Sequence, residues 1–354
     1  MRYLVTGAQG FVGRFLCSLI LRTDPDATIV GIGRSAPRTT FTHEITWQGR
    51  RRAAPLTADL RELDRARYRY LACDLRTGVD LDRVVADSAP DAVIHLAAAL
   101  RDDAAGELVR SNVDATQALI RSLAGLSLHP RLIVGSSGSV YGAPTRLPVS
   151  EDQRCAPVEP YAMSKLAAEL VGTVLAADAA IPTIIARIFN IAGPGQDERH
   201  VCGRFAAQAA AIAYGDAEPI FEIGDLRPTR DFIDVRDVAR ALVVLVHDGT
   251  PGETYNVASG VETAIADVLA LTLETANLSR TVTTVGGYER AADISRAYAD
   301  ITKLQQCGFE PAFPLRATIA DLLAYYVRDV AVGTTGATIS ERRSSLTAAP
   351  RNQG

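Results

Sequence analysis

Tyr161 and Lys165 stand four residues apart in the run Tyr-Ala-Met-Ser-Lys, at the start of a helical pattern over Ala162–Ala177. That spacing places a phenol and an ammonium on one helix face. The expected consequence is a stabilised phenolate, with its pKa lowered from about 10 toward working pH, and so a general acid/base pair. Lysine is scarce, with Lys165 and Lys303 the only two against 35 arginines, so 11 tyrosines generate about 0.06 such pairs by chance. Upstream, the apolar run Leu132–Gly135 leads into Ser136, Ser137, Gly138 and Ser139. Hydroxyls at the C-terminal end of a parallel strand lie where open α/β sheets bind ligands.

A second constellation opens the chain. Gly7, Gly10 and Gly13 in TGAQGFVG follow an apolar strand and begin a helix near Phe11. Such a turn brings backbone close to a pyrophosphate and aims the N–H groups at the helix start, those of Phe11 and Val12 among them, at the anion. At the end of the next strand, where NAD wants an acid for its ribose 2′-OH, stand Arg34 and Ser35. They favour the 2′-phosphate of NADP(H), with NAD(H) as the alternative if Arg34 belongs to the loop beyond and points to solvent. By strand-end position, Asp74 with Leu75 is placed against the adenine amino group, and Leu96, Ala97 and Ala98 flank the adenosine.

These residues need a scaffold. Short apolar runs at Tyr3–Thr6, Thr28–Ile32, Tyr70–Cys73, Ala92–Leu96, Leu132–Gly135 and Thr183–Phe189 alternate with helical patterns at Phe11–Leu21, Asp80–Ser88 and Val113–Leu123. Such alternation predicts an α/β fold, a doubly wound parallel sheet with helices on both faces. After Phe189 the rhythm fades into Gly/Pro-rich connectors, where a second lobe is expected. Residues 34–67 are long and arginine-rich, with the single tryptophan, Trp47. They read as a solvated surface insertion with a short helix over Thr57–Arg67, or else as a cover over the cofactor or a subunit contact. Residues 333–354 lack apolar periodicity and read as a disordered tail.

Together the segments resemble the extended short-chain dehydrogenase/reductase family, whose glycine spacing is the GxxGxxG seen here and which acts largely on nucleotide sugars. The likeness covers about residues 1–330 and implies a Rossmann-type domain over 1–188, with a return segment at about 228–258. The nucleotide-sugar lobe then comprises 189–227 and 259–332. By the family's SSxxVYG motif, Ser137 is the catalytic serine that bonds the substrate oxygen. Tyr161 exchanges the proton, and Lys165 binds the nicotinamide ribose and tunes Tyr161. In the family the two residues after that serine separate chemistries: a 4,6-dehydratase carries an Asp-Glu pair and decarboxylating relatives a Glu. Gly138 and Ser139 carry neither, which leaves hydride transfer alone.

The second-half motifs, Arg187–Asn190, Gly193–Gln196, Gly224–Leu226, Arg230–Asp237 and Tyr255–Gly260, look most like the GDP-4-keto-6-deoxy-mannose reductases and related sugar 4-ketoreductases. By that resemblance Asn190, Arg230 and Arg290 hold the substrate diphosphate and Ser139 lies beside the sugar, though Arg230 could equally pair with Asp231 or Asp234. The implied reaction is NAD(P)H-dependent reduction of a 4-keto group on a nucleotide-linked deoxysugar. The alternatives are an NAD-dependent 4-epimerase and, from another class, a non-catalytic dinucleotide sensor. The family also pairs the helices near Val113–Leu123 and Tyr161 into a homodimer interface.

Composition narrows the remaining classes. Of 354 residues, 47% are hydrophobic and 22% charged, with 37 basic against 41 acidic and a net charge of −4. No basic block provides a nucleic-acid footprint. The five cysteines form no CxxC pair and the five histidines show no ligand spacing, so no metal is expected. No leader or apolar run long enough to span a membrane is present, and a cytoplasmic enzyme is expected.

Overall fold

The computed structural model of the chain describes residues 1–77, 80–278, 283–288 and 294–330. Arg290 and the stretch 333–354 lie outside the described residues. The first half runs β1 (Arg2–Thr6), α1 (Phe11–Thr23), β2 (Thr28–Gly33), β3 (Thr40–Trp47), β4 (Arg50–Pro55), β5 (Tyr68–Ala72), α2 (Leu81–Ser88), β6 (Ala92–His95) and α3 (Ala105–Leu108). A π-helical turn over Val109–Asp114 joins α3 to α4 (Ala115–Gly125), before β7 (Arg131–Ser137), α5 (Pro160–Asp178) and β8 (Thr183–Ile188). The second half runs β9 (Asn190–Ala192), α6 (Val201–Ala213), β10 (Ile220–Gly224), β11 (Thr229–Asp234), α7 (Val235–Asp248), β12 (Thr254–Val257), β13 (Glu262–Ala264) and α8 (Ile265–Thr275). It continues with β14 (Thr283–Tyr288), β15 (Arg296–Ala297), α9 (Thr302–Gln305) and α10 (Leu315–Tyr325).

Seven parallel strands form the central sheet in the order β12-β8-β7-β6-β1-β2-β5. The strand order reverses between β1 and β6, and that switch point opens a crevice at the carboxyl ends of the strands. Both faces are covered. Phe15, Leu16 and Ile20 of α1 and Leu242 and Leu245 of α7 pack on one side. Leu81 and Val85 of α2, Leu119 and Leu123 of α4 and Ala176 of α5 pack on the other. Burial from two sides explains why β1, β6, β7 and β8 read as continuous apolar runs rather than alternating ones. A smaller sheet, β13-β11-β15 with β9 beside β11, and the pair β10-β14 lie C-terminal to β8.

Residues 34–67 contradict the reading as a solvated insertion. They fold into the antiparallel hairpin β3-β4, and Phe41, Ile45, Trp47, Ala54, Leu56 and Leu60 are buried in the main core. The short helix expected over Thr57–Arg67 is only a 3₁₀ turn at Ala58–Leu60. The physical signal was the alternation Phe41, His43, Ile45, Trp47, which puts every second side chain on one face. The turn that follows, Gln48-Gly49, has φ of 52° and 67°, the two positive values of a type I′ hairpin.

The hairpin joins the two halves of the molecule. Phe41 meets Phe11 at the start of α1, with ring centroids 6.0 Å apart. It also lies so close to Gly195 (φ +88°) that a Cβ there would stand 2.3 Å from its ring. Trp47 packs edge-on against Tyr214 at 5.8 Å, and the Thr46 N–H donates to Glu198 at 2.7 Å.

Candidate active site

The glycine loop sits at the switch point, between β1 and the segment after β6. Gly7 has φ +69°, and a Cβ there would come within 2.9 Å of the Leu96–Ala97 backbone; at Gly13 it would stand 2.3 Å from the Gly7 carbonyl. Gly10 caps α1 without a side-chain hydrogen bond, and no acid lies in the first turn. The helix start carrying Phe11 and Val12 therefore keeps its donors and positive dipole end for an anion, which fits a dinucleotide pyrophosphate. Thr6 Oγ1 fixes the opposite wall by accepting from Leu96 N (3.1 Å) and Ala97 N (3.0 Å), with Ala98 next in line. Thr6 also bonds the buried His95 ring at 2.8 Å, whose other nitrogen meets Thr116 at 3.0 Å.

At the end of β2, Arg34 does not point freely to solvent: its Nη1 lies 2.5 Å from Glu107 Oε1. Arg76 reaches the same carboxylate at 2.8 Å and also grips Asp74 at 2.6 Å. Asp74, expected against the adenine amino group, is therefore shared with an arginine. Leu75 is buried beneath it. Ser35 is held by Gln9, whose amide nitrogen donates to Ser35 Oγ and to the Ala36 carbonyl, each at 3.0 Å. Gln9 Oε1 in turn accepts from Arg38 N at 2.6 Å. Sequence reasoning missed Gln9, Arg76 and Glu107 because their roles come from tertiary neighbours.

Ser137 ends β7 and opens a 3₁₀ turn over Gly138–Tyr141. Its Oγ accepts from Ser139 N (3.2 Å) and Ser139 Oγ (3.0 Å). With its lone pairs so engaged, the Ser137 proton is left to donate outward. Tyr161, in the first turn of α5, meets Ser137. Burial raises the phenol above its ordinary value, opposed by the Ser137 hydrogen bond and by the charge of Arg101. This corrects the expected acidification by Lys165. The Lys165 ammonium donates to the Gly135 carbonyl at 2.5 Å, and burial pulls its own pKa down to about 8. Arg101 is anchored by Glu159, just before α5, at 2.6 Å.

Gly138 leaves no space for a side chain: a Cβ would lie 2.9 Å from the ring of Phe189. In the smaller sheet, Asn190 is exposed and its amide donates to the Asp231 carbonyl at 3.1 Å. Arg230 bonds the Thr229 carbonyl at 2.7 Å. Asp231 accepts from Ser259 and Gly260, while Asp234 is held by Arg236 and Thr318. Among the described residues no cluster of three or more metal-ligating side chains occurs, and no helix is long and apolar enough to cross a membrane.

Comparison with known proteins agrees with this geometry. The sequence model of the NAD dependent epimerase/dehydratase family matches residues 3–258. GDP-6-deoxy-D-mannose reductase of Pseudomonas aeruginosa is 32% identical over 244 residues, 66% of this chain and 80% of that protein. The NADPH complex of RMD from Pseudomonas aeruginosa superposes with a TM-score of 0.75 at 27% identity, covering 93% of this chain and 100% of the other. UDP-glucuronic acid 4-epimerase from Bacillus cereus, in complex with UDP-glucuronic acid and NAD, gives 0.77 at 26% identity over 93% and 100%.

Proposed function

The chain belongs to the NAD dependent epimerase/dehydratase family, and from that premise we propose that it reduces the 4-keto group of a nucleotide-linked deoxysugar. Gly138 carries the reading. The position beside the catalytic serine has no carboxylate, and Phe189 fills the space one would need. Elimination and decarboxylation lack their acid/base group, whereas hydride transfer needs only Ser137, Tyr161 and Lys165.

The nicotinamide supplies the hydride. The protein's own residues handle the oxygen. Ser137, doubly hydrogen-bonded by Ser139, donates to the substrate carbonyl and stabilises the developing alkoxide. Tyr161 delivers the proton from Oη, and its raised pKa suits a group that must hold that proton until the oxygen becomes basic. Lys165, held by the Gly135 carbonyl, carries the nicotinamide ribose. Asn190, Arg230 and Arg290 receive the diphosphate, arginine being suited by its planar fork.

Arg34, Arg76 and Ser35 at the β2 edge support NADP(H), as does the likeness to an NADPH complex. The carboxylate of Glu107 beside Arg34 favours a second reading, an NAD-dependent nucleotide-sugar 4-epimerase using the same three residues. We also assign a homodimer to α5, because Met163, Leu170 and Val174 share one face and are 59%, 61% and 58% exposed. On the π-helical turn before α4 Val109 is exposed as well.

Purified protein incubated with 4-keto-6-deoxy sugars on GDP, dTDP, UDP and CDP should consume NADPH or NADH in stoichiometric amounts with one of them. Failure with all of them counts against the reductase. Turnover without added coenzyme, on tightly bound NAD⁺, selects the epimerase.

A further inference from the structure

Directly behind Ser137 and Lys165 lies a buried ion pair. Glu169 follows Lys165 by one helical turn on α5, and Arg187 faces it from β8. Their side chains are only 6% and 9% exposed. Arg187 donates through Nε to Oε1 at 3.0 Å and through Nη2 to Oε2 at 2.8 Å, and Ser136 Oγ donates to the same Oε1. Two successive residues near the end of β7 are thus tied to α5: Gly135 to Lys165 and Ser136 to Glu169. The guanidinium of Arg187 also lies 4.8 Å from the centre of the Tyr141 ring, and Tyr141 Oη is fixed by Asn256 at 2.7 Å.

We propose that Glu169, aimed by Arg187 and Ser136, is a positioning residue that keeps Lys165 protonated and locks the end of β7 against the catalytic helix. This rests on the assignment of Lys165 to the proton-transfer set. The titratable groups facing Lys165 are Glu169 on its own helix and His95 on β6, with Tyr161 one turn earlier on α5 and, beyond Glu169, Arg187 of β8 and Tyr141 of the turn after β7. His95 is held neutral, its pKa pushed down to about 3 by burial and then by the Lys165 charge. Tyr141 is held neutral too, since burial raises its phenol. Within this set the carboxylate of Glu169 is the anion that opposes the burial of the ammonium. Replacing it with an amide removes that anion and leaves the buried Arg187 guanidinium unpaired. A buried charge left without its partner costs more than the loss of both.

The scarcity of lysine makes the test direct. Protein labelled with ¹⁵N at the lysine side-chain nitrogens gives two signals, and Lys303→Arg assigns them. Glu169→Gln should lower the Lys165 midpoint by about one pH unit or more, with Glu169→Asp restoring part of it and Glu169→Gln/Arg187→Met most of it. In the reductive reaction the alkaline limb of kcat should move to lower pH with the Lys165 midpoint. If Glu169→Gln does not fold, Arg187→Met alone should raise the midpoint, because the Glu169 carboxylate is then no longer neutralised. A Lys165 midpoint unchanged in whichever of the two single variants, Glu169→Gln or Arg187→Met, folds overturns the proposal. The titration needs no substrate. Midpoint shifts in a protein inactive on every keto sugar would leave this role standing and remove only the ketoreductase reading.

Discussion

Arg34 and Glu107 meet at 2.5 Å, so the cation at the end of β2 is balanced by a carboxylate from α3. The Glu107 carboxyl is held below its ordinary range, first by the Ser111 hydroxyl and then by Arg34 and Arg76, against the effect of burial. An anionic 2′-phosphate competes with that carboxylate for both arginines. Glu107→Gln should therefore raise the preference for NADP(H) over NAD(H) by about two- to fivefold in kcat/KM, the scale of a half-exposed ion pair. Arg34→Ala should lower it. A coenzyme ratio unmoved by either change would show that this edge does not read the 2′-phosphate.

Tyr161→Phe removes the proposed proton donor while keeping the ring. We expect kcat to fall by about 10²–10⁴-fold with coenzyme affinity, measured by fluorescence quenching, within a factor of two or so. Equal losses in binding and turnover would instead indicate a collapsed site.

Gly138→Ala forces the Phe189 ring aside. The expected cost is about 1–3 kcal/mol in denaturant unfolding, relieved when Phe189 is changed to Leu in the same chain. Additive losses in the double variant would mean the two positions do not touch.

Phe41→Ala tests the hairpin. A solvated insertion would lose less than about 0.5 kcal/mol, whereas a fully buried phenylalanine linking α1 to the segment at Gly195 should cost about 3–5 kcal/mol. Chemical denaturation separates the two outcomes.

Leu170→Glu places a charge in the apolar stripe of α5. Light scattering should show the mass of a dimer for the parent chain and of a monomer for the variant. A monomeric parent chain rules out the homodimer.

The parts of this molecule legible in its sequence are those whose signal is local. Strands β1, β2, β5, β6, β7 and β8 each show as an apolar run, the tight turn between β1 and α1 as Gly7, Gly10 and Gly13, and the Tyr161–Lys165 pair as a four-residue spacing on one helix. The β3-β4 hairpin was hidden because its arginines dominate the composition, while its fold is carried by the weaker alternation of Phe41, Ile45 and Trp47. Glu107 and Glu169 were hidden for another reason. Each takes its role from a partner far along the chain, Arg34 in one case and Arg187 with Ser136 in the other, and no spacing rule links such positions. The acidification of Tyr161 failed as an expectation because helical spacing places Lys165 on the right face without fixing where its ammonium points. In the folded chain that ammonium is taken by the Gly135 carbonyl.

Hydride delivery to a sugar carbonyl, with Tyr161 as the proposed proton donor to its oxygen, can be followed atom by atom. The most direct measurement uses NADPH, or NADH, deuterated at the transferring position of the nicotinamide, with a 4-keto-6-deoxy nucleotide sugar, followed by NMR of the product. Deuterium at C4 of the reduced sugar, one equivalent per coenzyme oxidised and abolished in Tyr161→Phe, is the predicted result. A product free of deuterium, or formed with no coenzyme consumed, would contradict it.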